Sequence, residues 1–172
     1  MSEKNSKEII YPADNILHYG SMFKKVCDVQ ISYSQQWEYK NIVKDIMYST
    51  HRSWVYCIVV NGIIEKIGET GNFLGIEMSD GQPKKGTECR FGRLRSGDGT
   101  DYDIRMALNP LIKSGYKVEL YAYQCPETVT KQKIVNETKE IKSQIHKAME
   151  LELLDYFYKH KELYPSLNKG RK

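Results

Sequence analysis

At 172 residues the chain is long enough for one domain, or for a catalytic domain with a short appendage. Its 40% hydrophobic and 28% charged residues are those of an ordinary soluble globular protein, and no apolar run approaches the ~18 residues a membrane-spanning helix needs. Lysine and arginine number 26 against 22 acidic residues, a net charge of +4 that leans toward a polyanionic partner without requiring one.

The four cysteines, Cys27, Cys57, Cys89 and Cys125, fit no CxxC zinc pattern, and no secretory signal precedes them. Reduced thiols and a cytoplasmic location are the expectation. From about 12 to 50 the pattern reads as broken helix. Pro12 and Asp14 open a short segment through Tyr19, and Ser34 to Met47 forms a second, with Trp37, Ile42, Val43, Ile46 and Met47 at helical spacing. With Lys24, Lys25, Lys40 and Lys44 in it, this arm, residues 1–50, suits contact with a polyanion such as DNA, or dimerisation, with a plain helical cap on the core as the equal alternative.

The texture changes at Ser53. Trp54 to Val60 is β-branched and aromatic, Asn61-Gly62 is a turn, and Ile63 to Gly68 forms the returning strand. Residues 70–87 are rich in glycine and read as a loop. Short helices are predicted from Arg90 to Leu94 and from Asp101 to Lys113, a third strand from Val118 to Tyr123, and a long helix from about Thr130 to His160. The predicted fold is α+β: a small, mainly antiparallel three-stranded sheet flanked by helices over 51–172, with an N-terminal helical extension.

Tyr56 and Lys66 stand on the two arms of the hairpin. A two-residue Asn61-Gly62 turn points them to opposite faces, whereas a three-residue loop with Gly62 as a bulge sets them side by side. Only the second register makes a site, in which the ammonium lowers the phenol pKa. Taken alone, the pair is more often two ordinary strand residues. Arg90-Phe91-Gly92-Arg93-Leu94-Arg95 supplies guanidinium forks suited to phosphate, although such runs are usually solvated. The neighbouring Ser96 to Asp101 has neither Walker nor EF-hand spacing and is set aside. Glu150 shares a helical stripe with Leu153, Leu154 and Phe157, a costly place for a carboxylate unless it is paired or binds metal. Glu152 groups with Asp155 and Lys159 and reads as exposed. The basic tail, including Lys169 and Arg171, is suited to a phosphate backbone.

Together these residues resemble the GIY-YIG nuclease superfamily over about 53–170. Trp54-Val55-Tyr56 stands for its first motif, and Lys66-Ile67-Gly68 for the second, with lysine replacing tyrosine. Arg90-Phe91-Gly92-Arg93-Leu94 matches the arginine helix, with Arg93 as fallback for Arg90 because the preceding loop is long. Met149-Glu150-Leu151-Glu152-Leu153-Leu154 matches the glutamate helix and selects Glu150, and Pro165-Ser166-Leu167-Asn168 matches the closing Pro-x-x-Asn. The lysine variant, with Thr100-Asp101-Tyr102 and Lys117 to Tyr123, is similar to a branch of small type II restriction endonucleases.

The resemblance implies metal-assisted hydrolysis of duplex DNA at a specific sequence. Tyr56 with Lys66 would activate water, Arg90 would stabilise the phosphate, and Glu150 would hold one Mg²⁺, replaceable by Mn²⁺. Asn168 and Arg93 would support the site, and Arg93, Arg95, Lys169 and Arg171 would contact DNA. A homodimer reading a palindrome, and a cognate methyltransferase in the same cell with no direct contact, would follow. The alternatives are a structure-specific repair nuclease of this type, a non-catalytic DNA-binding module on the same fold, and a protein-interaction domain.

Overall fold

The run Trp54 to Val60 has no polar face because the strand it forms is covered on both sides; all seven residues are buried. In the computed structural model, which describes residues 23–71, 77–84, 90–97, 99–134 and 137–168, it is the third of seven strands. In chain order the elements are β1 (Lys24–Ile31), β2 (Trp37–Lys40), α1 (Lys44–Met47), β3 (Trp54–Val60), β4 (Ile63–Thr70), α2 (Arg90–Ser96), α3 (Thr100–Lys113), β5 (Val118–Gln124), β6 (Glu127–Ile134), β7 (Glu137–Gln144) and α4 (His146–Lys161). The main sheet has five strands in the order β2-β1-β5-β3-β4, every pair antiparallel. The α+β class holds, with two strands more than the sequence suggested.

The two faces of the sheet carry separate cores. Trp54, Tyr56, Ile58 and Val60 face Phe91, Leu94, Ile104 and Leu108 of α2 and α3. Val55, Cys57 and Val59 face Leu154 and Phe157 of α4. Successive strand residues point to opposite faces, so one strand feeds both cores.

The additional strands lie where helix was expected. Ser34 to Met47 holds β2, a connection through Ile42 and Val43, and the one-turn α1, whose apolar residues happen to fall at helical spacing. Tyr39 hydrogen-bonds the Phe91 carbonyl at 2.9 Å, and the Trp37 indole donates to Asn109 Oδ1 at 2.7 Å, so the hairpin is tied to α2 and α3. The helix expected near Pro12 lies outside the described residues, as do Cys89, Lys169 and Arg171.

The long helix predicted over 130–160 is confined to α4. Before it, β6 and β7 form a separate two-stranded ribbon. Its sequence is polar on both sides and β-branched at Thr128, Val129, Thr130 and Ile134, so neither period stands out. Among the described residues, no helix is long and apolar enough to cross a membrane.

Both edges of the main sheet are closed by an amide side chain. Gln82 accepts from the Tyr39 N–H at 2.7 Å and donates to the Tyr39 carbonyl at 2.8 Å on β2. Asn168 does the same to Ile67 on β4, at 2.9 and 2.7 Å. Each replaces a missing strand and hides an edge otherwise open to pairing. Asn168→Ala orphans two buried backbone groups and is expected to destabilise the fold by about 2–4 kcal/mol. A denaturant titration checks this; a loss below about 0.5 kcal/mol would show that the clamp is dispensable.

Candidate active site

The β3–β4 hairpin decides which side chains meet. Asn61 and Gly62 have φ of 45° and 85°, the left-handed pair of a two-residue type I′ turn, and Val60 faces Ile63. That register alone would put Lys66 on the face opposite Tyr56. A bulge at Glu65 then shifts the pairing, so that Ile58 faces Lys66 and Tyr56 faces Gly68. One extra residue turns Lys66 and Gly68 onto the face of Tyr56. The turn is therefore the first of the two expected, while the shared face is that of the second.

The C-terminal turn holds this irregular strand from outside. The Leu167 N–H donates to the carbonyl of the bulged Glu65 at 2.8 Å, and Ser166 Oγ hydrogen-bonds the Glu65 carboxylate. With Asn168 on Ile67, the backbone is gripped on both sides of Lys66. Asn168 is thus a structural support for the strand that carries Lys66.

A cavity of about 220 Å³ opens at this edge, lined by Tyr56, Lys66, Gly68, Glu69, Arg90, Asp101, Asp103, Ile104, Glu150 and Leu167. Tyr56, Lys66, Arg90 and Glu150, which lie as much as 94 positions apart in the chain, are brought together there.

Arg90 opens α2 and is held on three sides. Its Nη1 donates to Asp101 Oδ1 and Oδ2 at 3.1 and 3.4 Å, and its Nη2 to the Glu69 carbonyl at 3.3 Å. Its guanidinium carbon sits 5.2 Å from the Tyr56 ring centre, within cation–π range. Arg93 is more open, 48% exposed, with Nε 3.7 Å from Asp101. Arg95, expected to contact DNA, is engaged within the fold. It is 12% exposed, donates to the Trp37 and Pro83 carbonyls at 3.1 and 3.0 Å, and pairs with Asp80. Its charge joins β2, the 77–84 segment and α2.

Tyr56 is 2% exposed, and burial pushes its pKa up to about 12, against the pull of the Arg90 charge; Asp101, Glu150 and Glu69 push it up further. The expected lowering by Lys66 is not found: the cation that pulls the pKa down is Arg90, and burial outweighs it. At neutral pH Tyr56 is a phenol.

Sequence reading missed three residues. Asp101, fully buried, was set aside with its loop, although an acid in the first turn of a helix was the available signal. Glu69 and His146 form a second chain. Ser53 Oγ lies 3.2 Å from His146 Nδ1, and His146 Nε2 lies 3.1 Å from Glu69 Oε2. The network assigns Nε2 as the donor to Glu69 and Nδ1 as the acceptor from Ser53 in the neutral ring.

Gly68 has a steric reason. A Cβ there would come within 2.5 Å of the Tyr56 Cζ and hydroxyl, so the ring lies directly over the glycine. Gly68→Ala is expected to displace the ring and cost about 1–3 kcal/mol, read as a lower denaturation midpoint; an unchanged midpoint would contradict the packing.

Burial pushes the His146 pKa below 6.5, although Glu69 pulls it up. The neutral ring is thus favoured in the fold, so its contribution is full above about 6.5 and is lost as the pH falls below that. The Tm difference between the wild type and His146→Gln should therefore narrow from pH 8 to pH 5.5, and a constant difference would refute the assignment.

No protein-family model and no curated protein matches the chain. Among solved structures it is similar to a mutant of bacteriophage T4 EndoII, with a TM-score of 0.61 at 16% identity over 92% of this chain and 98% of that one. It is also similar to restriction endonuclease HPY188I in complex with product DNA, with a TM-score of 0.46 at 20% identity over 99% of this chain and 98% of that one. The first of these likenesses establishes the fold: the chain shares the α+β architecture of the T4 EndoII structure.

Proposed function

We propose that the protein is a metal-dependent DNA endonuclease of the GIY-YIG type that cuts duplex DNA at a specific sequence, as a type II restriction enzyme does. The observation that carries this reading is the cavity itself. Tyr56, Lys66, Arg90 and Glu150, selected from the sequence by their resemblance to that family, line one opening at the sheet edge. Likeness in fold to a phage endonuclease supports the same reading.

The cavity's charges bear on the metal. Two cations, Lys66 and Arg90, face four carboxylates, Glu69, Asp101, Asp103 and Glu150, so the lining is formally acidic. An acidic opening repels a phosphodiester unless cationic charge is added. Among the described residues no cluster of three or more His, Cys, Asp or Glu forms a closed metal cage. That donor set fits a hard cation which keeps most of its waters and takes one or two protein carboxylates. Glu150 would hold it, Mg²⁺ with Mn²⁺ as substitute, and the chemistry supplied is stabilisation of negative charge on the leaving 3′ oxygen.

The remaining roles belong to the chain's own residues. As a phenol with its pKa near 12, Tyr56 orients the attacking water through its hydroxyl. Lys66, on the same face, adds positive charge to the cavity. Arg90 stabilises charge developing on the phosphate, already aimed by its contacts to Asp101, Glu69 and Tyr56. Arg93 is exposed enough to reach a phosphate backbone. A cutter of both strands places two such sites by two-fold symmetry, so the working unit is a homodimer on a palindromic site, in a cell with a cognate methyltransferase.

The test is incubation of the purified protein with a long, sequenced duplex, with Mg²⁺ and with EDTA. Discrete Mg²⁺-dependent fragments are expected. Glu150→Gln should abolish cutting while salt-sensitive DNA binding persists, and Tyr56→Phe should slow cutting about 10²–10⁴-fold. Nicking without preferred positions would instead favour a structure-specific repair nuclease. Binding without any cleavage would remove the catalytic assignment.

A further inference from the structure

The least expected group in the cavity is Asp101. Its side chain has no exposure, although it sits in the first turn of α3, where an acid is ordinarily solvated. Interaction with the helix terminus needs no burial. A fully desolvated carboxylate is costly unless charges compensate it, and here the compensation comes from the preceding helix. Both its oxygens receive Arg90 Nη1, and Oδ2 lies 3.7 Å from Arg93 Nε. One buried anion therefore stands between two guanidiniums held unequally. Arg90, 15% exposed, is also fixed by the Glu69 carbonyl and the Tyr56 ring, whereas Arg93 is 48% exposed and only loosely paired.

We infer that Asp101 is the positioning residue of the site: it aims Arg90 at the reacting phosphate, and it holds back positive charge that would otherwise strengthen DNA binding. The inference rests on the nuclease reading. Its two halves have opposite signs. A carboxylate beside the phosphate weakens ground-state binding, while the geometry it imposes on Arg90 favours the transition state. The buried acid is thus a device that trades affinity for turnover.

The test is Asp101→Asn, which keeps the volume and a hydrogen-bond acceptor and removes the charge, with Asp101→Ser made alongside in case the amide variant does not fold. Thermal unfolding identifies the folded variant. Wild-type cleavage of the duplex, measured first, tests the nuclease reading separately. In the variant, kcat should fall about 10-fold to 10²-fold with KM unchanged or lower. In EDTA the duplex should bind as tightly or more tightly, with a log K against log salt slope steeper by about 0.9 for a freed cation. In an Arg90→Ala background the same substitution should lower the single-turnover rate no further, because Asp101 acts through Arg90. A kcat within twofold of wild type, weaker binding in EDTA, or a second multiplicative loss in the Arg90→Ala background would each overturn the inference. If the wild type does not cut DNA, the nuclease reading fails on its own account, and the positioning role fails with it.

Discussion

Burial of β3 on both faces is the constraint from which the architecture follows. A strand with no polar side must be interior and must have a layer on each face, and here α2 and α3 cover one face while α4 covers the other. The apolar content of the chain then suffices for two thin cores rather than one thick one. β4, next to β3, is left as an edge, and at that edge the layers come close enough for their side chains to share a cavity. Tyr56 and Arg90 come from the α2–α3 side, and Glu150 comes from α4. The site is therefore built from both layers, and no single element carries it.

An edge strand beside such a cavity is a hazard, because unpaired backbone groups invite another strand. Gln82 and Asn168 answer it at opposite ends of the sheet with the same chemistry, a primary amide that donates and accepts as a peptide does. A further strand would have covered the Lys66 side of the opening; a side chain closes the edge and leaves the cavity accessible. The C-terminal turn achieves this with Leu167 and Asn168, which grip the backbone at Glu65 and Ile67 and leave Lys66 between them.

What could be read from the sequence depended on whether one element had one signal. The β3–β4 hairpin, α2, α3 and β5 each did, and so did Tyr56, Lys66, Arg90 and Glu150, though not Glu69 or Asp101 beside them. The arm from Ser34 to Met47 did not, because β2 and α1 together imitate a helical stripe. The β6–β7 ribbon mixes β-branched and polar residues along both strands, so its sequence shows no clean alternation to mark it. The shared face of Tyr56 and Lys66 stayed open between two registers for a different reason. It depends on a bulge at Glu65 that no turn rule marks, and the Leu167 N–H that holds the bulged carbonyl lies about a hundred residues away. Asp101 was hidden because burial is a property of the packed helices, and no spacing rule marks it.

The electrostatics of the cavity tie these pieces into one chemical constraint. Burial alone would make Tyr56 a poor acid, and three of the four carboxylates in the opening push in the same direction. Arg90 opposes them, yet it is already engaged with Asp101 and cannot offset the whole set. A phosphodiester entering this space meets more negative charge than positive, which raises the cost of every anionic state in it, from the phenolate to the pentavalent phosphate. Added cationic charge relieves all of those states together. On the nuclease reading, an acidic cavity with a neutral tyrosine is poorly suited to the chemistry by itself, and a divalent cation at Glu150 would supply the missing positive charge for the reaction.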